Sequence, residues 1–252
     1  MATLLFSADA LAMGTIVLMA FAVKAATGFG PALVVVSLGS LVVGPLTAVL
    51  LAAFIDLLGG LAVAWFDRRR RAATPWRPLA ATMAAAAIVG GLLLPHVPAA
   101  ALARAVGAGV AGFGTWMLVV VLRAPKDGSS APPPASRSFA ADHGVAAGAG
   151  LAGGLIGVGG PPLILWFGTR LPKEEFRALL VPIFLVTAAA RVGTYTVTGQ
   201  VDTDLLRLVA LALPALPLGM FLGDRLFRRW SERGFRIAIA VLVLAAGLRL
   251  LL

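Results

Sequence analysis

The sequence contains no cysteine, which excludes a disulfide framework, a thiolate metal site and a cysteine nucleophile. It has two histidines, His96 and His143, far apart and without metal-ligand spacing. Both are expected at the surface. Charge is scarce too: Asp, Glu, Lys and Arg make up 13% of the 252 residues, against about 25% in a soluble domain. A chain so poor in polar groups cannot cover itself in water, and a lipid-facing surface removes that need. No Ser-His-Asp constellation or phosphate loop is found, so neither an enzyme nor an ATP-driven pump is expected. Gly148-Ala149-Gly150-Leu151-Ala152-Gly153 has dinucleotide-fingerprint spacing. No strand precedes it and no suitable acidic residue follows, so no cofactor is expected.

In place of charge the chain carries 60% hydrophobic residues. Apolar runs fall at roughly 8–44, 46–66, 76–95, 101–122, 143–169, 176–197, 205–223 and 236–252. Most have the length of about 20 residues that a membrane helix needs. The net charge of +10 would suit a nucleic-acid partner, but its distribution does not. Arg68, Arg69, Arg70, Arg71 and Arg77 share one gap between runs; Arg225, Arg228, Arg229, Arg233 and Arg236 share another. Short basic gaps between spans are the positive-inside signature. The chain is thus expected in the cell (inner) membrane, multi-pass, with lipid and no nucleic acid as partner. No basic region precedes the first apolar run, so no cleavable signal peptide is expected.

Two runs are interrupted. The first contains Thr27-Gly28-Phe29-Gly30-Pro31 and the fifth Gly157-Val158-Gly159-Gly160-Pro161-Pro162. Proline removes a donor and glycine adds backbone freedom, so each sequence favours a helix break. The Pro- and Ser-rich stretch 124–142 reads as a linker between a first membrane repeat, 1–123, and a second, 143–252. A shift of 130 positions superposes Gly30-Pro31 on Gly160-Pro161, Leu33 on Leu163, Ala48 on Ala178, Leu50 on Leu180 and Phe54 on Phe184. Apolar matches are cheap in so biased a chain. The paired Gly-Pro break is more informative, and duplication is common in transporters.

The basic gap follows the second run in the first half and the third run in the second half. That swap predicts inverted halves. Inversion requires an odd number of crossings per half. The predicted fold is therefore all-α: a polytopic membrane helix bundle of two related, inverted halves, each with one Gly-Pro-broken or re-entrant segment plus three spans. Eight simple spans, or ten with both broken runs crossing twice, are the alternatives.

On these residues the chain resembles the sulfite exporter TauE/SafE family, grouped also with sulfonate-uptake permeases. Gly28-Phe29-Gly30-Pro31 carries part of the resemblance; Gly153-Gly154-Leu155-Ile156-Gly157-Val158-Gly159-Gly160-Pro161-Pro162-Leu163 carries more. The likeness covers essentially the whole chain. It implies a membrane protein moving sulfite, organosulfonates or other small organic anions. Thr27, Phe29 and Pro31 depart from the commoner, glycine-richer first motif, which leaves the substrate open.

The breaks suggest chemistry. Broken helices at membrane depth are tolerated where they face protein or a wet cavity. Pro31 and Pro161 would begin second arms whose positive dipole ends and amide N–H groups attract anions. Gly28, Gly30, Gly157, Gly159 and Gly160 would let an anion approach the backbone. Gly150/Gly154 and Gly153/Gly157 have the spacing of close helix packing instead. Ionisable groups inside spans are costly and usually functional. Lys24 would neutralise an anion or snorkel to an interface. Arg191 would fork onto an oxyanion or pair with Asp56. Asp56 would carry a coupling proton or form a structural ion pair. Thr27, Thr187, Thr194 and Tyr195 offer neutral donors, although such threonines commonly bond their own backbone.

The expected function is secondary transport of a small sulfur-containing anion, with export the expected direction. The alternatives are a channel for small anions or a non-transporting membrane assembly subunit. A homo-oligomer is left open.

Overall fold

The computed structural model describes residues 8–27, 31–67, 75–123, 138–168, 170–171, 173–227 and 232–252. Among them the regular structure is helical, without strands. The helices are α1 (Ala8–Thr27), α2 (Ala32–Val43), α3 (Pro45–Asp67), α4 (Trp76–Leu93), α5 (Ala99–Arg123), α6 (Phe139–Ile156), α7 (Gly160–Gly168), α8 (Lys173–Val197), α9 (Thr203–Ala212), α10 (Ala215–Phe227) and α11 (Glu232–Leu251). A 3-10 turn, Leu94–His96, extends α4. Five stretches of the described residues are long and apolar enough to cross a membrane: Pro45–Trp65, Trp76–His96, Ala99–Arg123, Glu175–Val197 and Thr203–Gly223.

The apolar runs recur as helices with two adjustments. α6 starts at Phe139, four residues ahead of its run; Asp142 suits its first turn because a carboxylate complements the helix N-terminus. The seventh run is expected to be one simple helix. It instead divides at Leu213–Pro214 into α9 and α10, because proline cannot donate back along a helix and its ring crowds the preceding turn.

The chain forms two compact units, and neither is a sequence half. One comprises Met1–Ile55, Val97–Ala124 and Val201–Leu252; the other comprises Asp56–His96 and Pro125–Gln200. In the first unit α1 packs on α2 and α10, and α5 on α11. Small residues set these distances. A Cβ on Gly223 would stand 2.5 Å from Ala22 Cα, and one on Gly114 would stand 2.8 Å from Leu244 N. α2 folds back along α1, so that a Cβ on Gly39 would lie 3.1 Å from Met13 Cε.

In the second unit α4 packs on α6 and α8, and α7 on α6. Leu79, Met83, Ala146, Ala149, Leu163 and Ile183 form its buried apolar centre. A Cβ on Gly150 or Gly154 would overlap the carbonyl oxygen of Met83 or Ala87, respectively. This pair is the backbone-to-backbone packing expected of its spacing.

Candidate functional site

The Gly-Pro break of the second unit is a hairpin turn. α6 ends at Gly157, whose φ of 74° and ψ of 0° are left-handed, a conformation costing other residues roughly 1–2 kcal/mol. Val158 and Gly159 are buried as the chain turns back over α6. A Cβ on Gly159 would stand 2.6 Å from Ala149 O and 3.0 Å from Gly153 Cα, so that position has room only for glycine. α7 then starts with Gly160, Pro161 and Pro162. At its far end Trp166 Nε1 donates to Asp142 Oδ1 at 2.6 Å, and Asp142 lies in the first turn of α6. The first arm therefore begins where the second arm ends.

α7 has nine residues and α2 has twelve, giving lengths of about 14 and 18 Å. Neither spans a hydrocarbon core of about 30 Å alone.

The glycines of this turn are not equivalent. A Cβ on Gly160 would meet only Ile164 Cδ1 at 3.7 Å and Phe184 Cζ at 3.9 Å, ordinary contacts. Gly157→Ala is therefore expected to lower stability by roughly 1–2 kcal/mol, and Gly160→Ala to leave it nearly unchanged. Thermal unfolding in detergent separates the two; equal shifts would refute this reading of the turn.

The first turn of α7 offers fewer donors than a generic helix start. A helix leaves its first four N–H groups without intrahelical partners. Two of those positions are Pro161 and Pro162, which carry no N–H. Gly160 and Leu163 remain, so an anion there needs charge from elsewhere.

α8 supplies it. Arg191 is buried, and its Nη1 donates to Asp56 Oδ2 of α3 at 3.3 Å. The Arg191–Asp56 ion pair weighed from the sequence is therefore present. Tyr195, one turn along, is fully buried and donates from its hydroxyl to Gly154 O at 2.7 Å. Phe184, Thr187, Arg191 and Tyr195 recur at helical spacing and share a face of α8. Phe184 lies beside Gly160, while Tyr195 bonds the last turn of α6. Arg191 thus falls on the stretch of α8 bracketed by the hairpin turn's contacts. Thr187 and Thr194 donate to Ile183 O and Ala190 O, both at 2.8 Å, the backbone bonding expected of threonine there.

The other expected site residues lie in the first unit or outside the described residues. Lys24 is in the last turn of α1, its Nζ 5.4 Å from the centre of the Phe21 ring. Thr27 ends α1, and its side chain lies outside the described residues, as do Gly28 and Gly30 entirely. Pro31 is buried at the N-cap of α2 with φ −67°, and its carbonyl accepts from Val35 N at 3.0 Å.

A polar cluster at the mouth of the α6–α7 hairpin was not expected. The Arg170 guanidinium stacks 3.6 Å over the Trp166 ring and donates from Nη1 to Trp166 O. His143, expected at the surface, is half-buried, with Nδ1 2.7 Å from Thr82 Oγ1. His96 is exposed, as expected. The available sign was Asp142 at the margin of an apolar run with Trp166 24 residues on; sequence spacing cannot show that a turn brings them together.

Comparison with known proteins extends this picture. The chain is 34% identical over 96 residues to the "Probable sulfite/organosulfonate exporter TauE" of Cupriavidus necator, covering 37% of this chain and 38% of that one. It is 34% identical over 109 residues to the "Probable inner membrane transporter protein TsaS" of Comamonas testosteroni, covering 41% of this chain and 46% of that one. The chain thus spans less than half the length of the curated relatives it matches. No solved structure matches it. The profile described as "Sulfite exporter TauE/SafE" matches residues 13–250, nearly the whole chain. With its run of membrane-length apolar helices, the chain therefore belongs to the sulfite exporter TauE/SafE family, as a multi-pass membrane protein.

Proposed function

We propose that this chain is a secondary transporter of a small sulfur-containing anion, sulfite or an organosulfonate, working by alternating access between inverted halves. The carrying observation is Arg191, a buried guanidinium in a membrane-length helix, on the face that follows the hairpin turn. Ionisable groups at such depth mark substrate paths, and a guanidinium fork matches oxyanion geometry. Gly160 is half-buried with room for an added methyl, and its N–H and that of Leu163 supply backbone donors beside the charge. The name of the Cupriavidus necator relative points to the same class of cargo. On this reading export is the net direction where the anion is produced inside.

The duplication draws support from the way the halves exchange partners. In one unit the broken run of the first half packs on the third run of the second, α1 on α10. In the other, the broken run of the second half packs on the third run of the first, α6 on α4. A duplicated chain makes such reciprocal pairs, and the inversion itself rests on the swapped basic gaps.

The test is flux in proteoliposomes with labelled sulfite, methanesulfonate and taurine. Saturable uptake that an internal pool of the same anion accelerates is expected of a carrier. Non-saturating conductance would indicate a channel, and silence across the panel would remove the transport reading. Gly160→Ala, stable by the argument above, is expected to weaken apparent affinity several-fold.

A further inference from the structure

One end of the second unit gathers the starts of α4, α6 and α8 and the end of α7. There Thr82 meets His143, Trp166 bonds Asp142, and a Cβ on Gly168 would lie 3.6 Å from the Phe176 ring. Two arginine–indole stacks stand at this end. The Arg170 guanidinium lies 3.6 Å over the Trp166 ring, and that of Arg77 lies 5.8 Å over the Trp76 ring. Both indoles are half-buried against the same apolar centre, as tryptophans at a membrane interface are.

Arg170 is the better-defined cation. Its Nη1 donates to Trp166 O at 2.7 Å. Nη1 is the nitrogen on the Cδ side of the guanidinium, so this bond leaves the opposite edge, Nε with Nη2, to other acceptors. That edge carries two parallel N–H groups and grips two oxygens of an oxyanion at once. Among the described residues nothing accepts from Nε, although it is buried, and no carboxylate forms an ion pair with Arg170. Asp142 is buried and its Oδ1 accepts from the indole N–H. It orients the ring on which the guanidinium rests, and the half-buried Arg170 is the outward charge.

The surroundings select an amphipathic anion. Phe139, three residues before Asp142, is 75% exposed, with its ring 4.1 Å from that of His143. An apolar ring left open beside a cation at the interface suits a ligand with an anionic head and a greasy body. α4 opens from the arginine-rich gap that the positive-inside rule assigns to the cytoplasm, and anionic headgroups attract basic residues at that face.

We propose that the Arg170–Trp166 stack binds the phosphate of an anionic phospholipid, with the Nε–Nη2 edge on two phosphate oxygens and Phe139 against the lipid's apolar part. Arg77 adds a second cation at the same end. A zwitterionic lipid carries the same phosphate, but its ammonium is repelled by these cations. Inorganic phosphate shares the head chemistry and has nothing for Phe139 to cover. The site is separate from Arg191 and independent of the cargo.

The experiment uses the delipidated full chain in detergent micelles, titrated with phosphatidylglycerol, phosphatidylcholine or inorganic phosphate. Native mass spectrometry reads retained lipid, and thermal unfolding reads stabilisation. The wild type is expected to hold one phosphatidylglycerol tightly and to unfold at a higher temperature with it, with far less effect from phosphatidylcholine or phosphate. Arg170→Ala should weaken phosphatidylglycerol binding about tenfold or more, as loss of a charged hydrogen bond does. Arg170→Lys keeps the charge without the fork and should fall between. Arg104→Ala removes an exposed cation of the first unit and should leave binding unchanged. Equal retention of both lipids, or equal losses in Arg104→Ala and Arg170→Ala, overturns the site. Stabilisation by phosphate alone that depends on Arg170 overturns the lipid and makes this a free-anion site. Should Arg170→Ala fail to fold, Arg170→Lys and the wild-type lipid preference decide.

Discussion

Replacing Arg191 by alanine is expected to weaken anion binding by roughly 10- to 150-fold, the equivalent of losing one charged hydrogen bond worth about 1.5–3 kcal/mol. The effect on folding should be smaller than on binding. Removing one member of a fully buried ion pair costs about 3–5 kcal/mol, because the remaining charge is stranded. Asp56 is the more exposed member and can accept a proton, which relieves most of that penalty. Arg191→Lys keeps the charge but not the planar fork, so its affinity should fall between wild type and alanine. Equilibrium binding of labelled anion to the detergent-solubilised protein, alongside thermal unfolding, separates affinity from stability. Wild-type affinity in a folded Arg191→Ala protein would take this side chain out of the site.

The largest stability effect is expected at Gly154. An added methyl would overlap the Ala87 carbonyl and stand 2.8 Å from Gly91 N. Both obstacles are backbone, so no rotamer change relieves them. α4 and α6 would have to separate, and the Gly154 carbonyl that accepts from Tyr195 would shift with them. Overpacking of this kind costs about 1–3 kcal/mol and occasionally more; with two backbones involved, a loss of about 3 kcal/mol is expected. Gly148 on the same helix has nothing within 4 Å of its virtual Cβ. Gly148→Ala should therefore be neutral, or more stable by up to about 1 kcal/mol from helix propensity. Unfolding midpoints that move equally for both would refute the packing account.

The helices were readable because an apolar run of membrane length leaves the backbone few alternatives. The Gly-Pro break at Gly157–Pro162 was readable from the same rule, since no helix continues through that sequence. Gly150 and Gly154 announced packing by their spacing, and the structure places them on the α4 backbone. The pairing of Arg191 with Asp56 was one of the readings open for each residue, and only folding could bring the two together. Roles within the turn were not legible. Gly157 is required by its φ, Gly159 by the carbonyl beneath it, and Gly160 by neither, yet the three read alike in one dimension. The reduction of donors by Pro161 and Pro162 was present in the sequence but gained meaning only when Gly160 proved to start α7. The compact units were hidden for another reason: each is assembled from both halves, and sequence adjacency carries no record of such an exchange.

The bond from Trp166 to Asp142, with Arg170 laid over the indole, has a mechanical consequence. It fastens the open end of a loop whose closed end is already pinned by Gly159 against Gly153. Such a piece cannot splay at its bend while both fasteners hold. Any displacement of it would be that of a single stiff piece, and slow amide exchange along its two arms should rise and fall together.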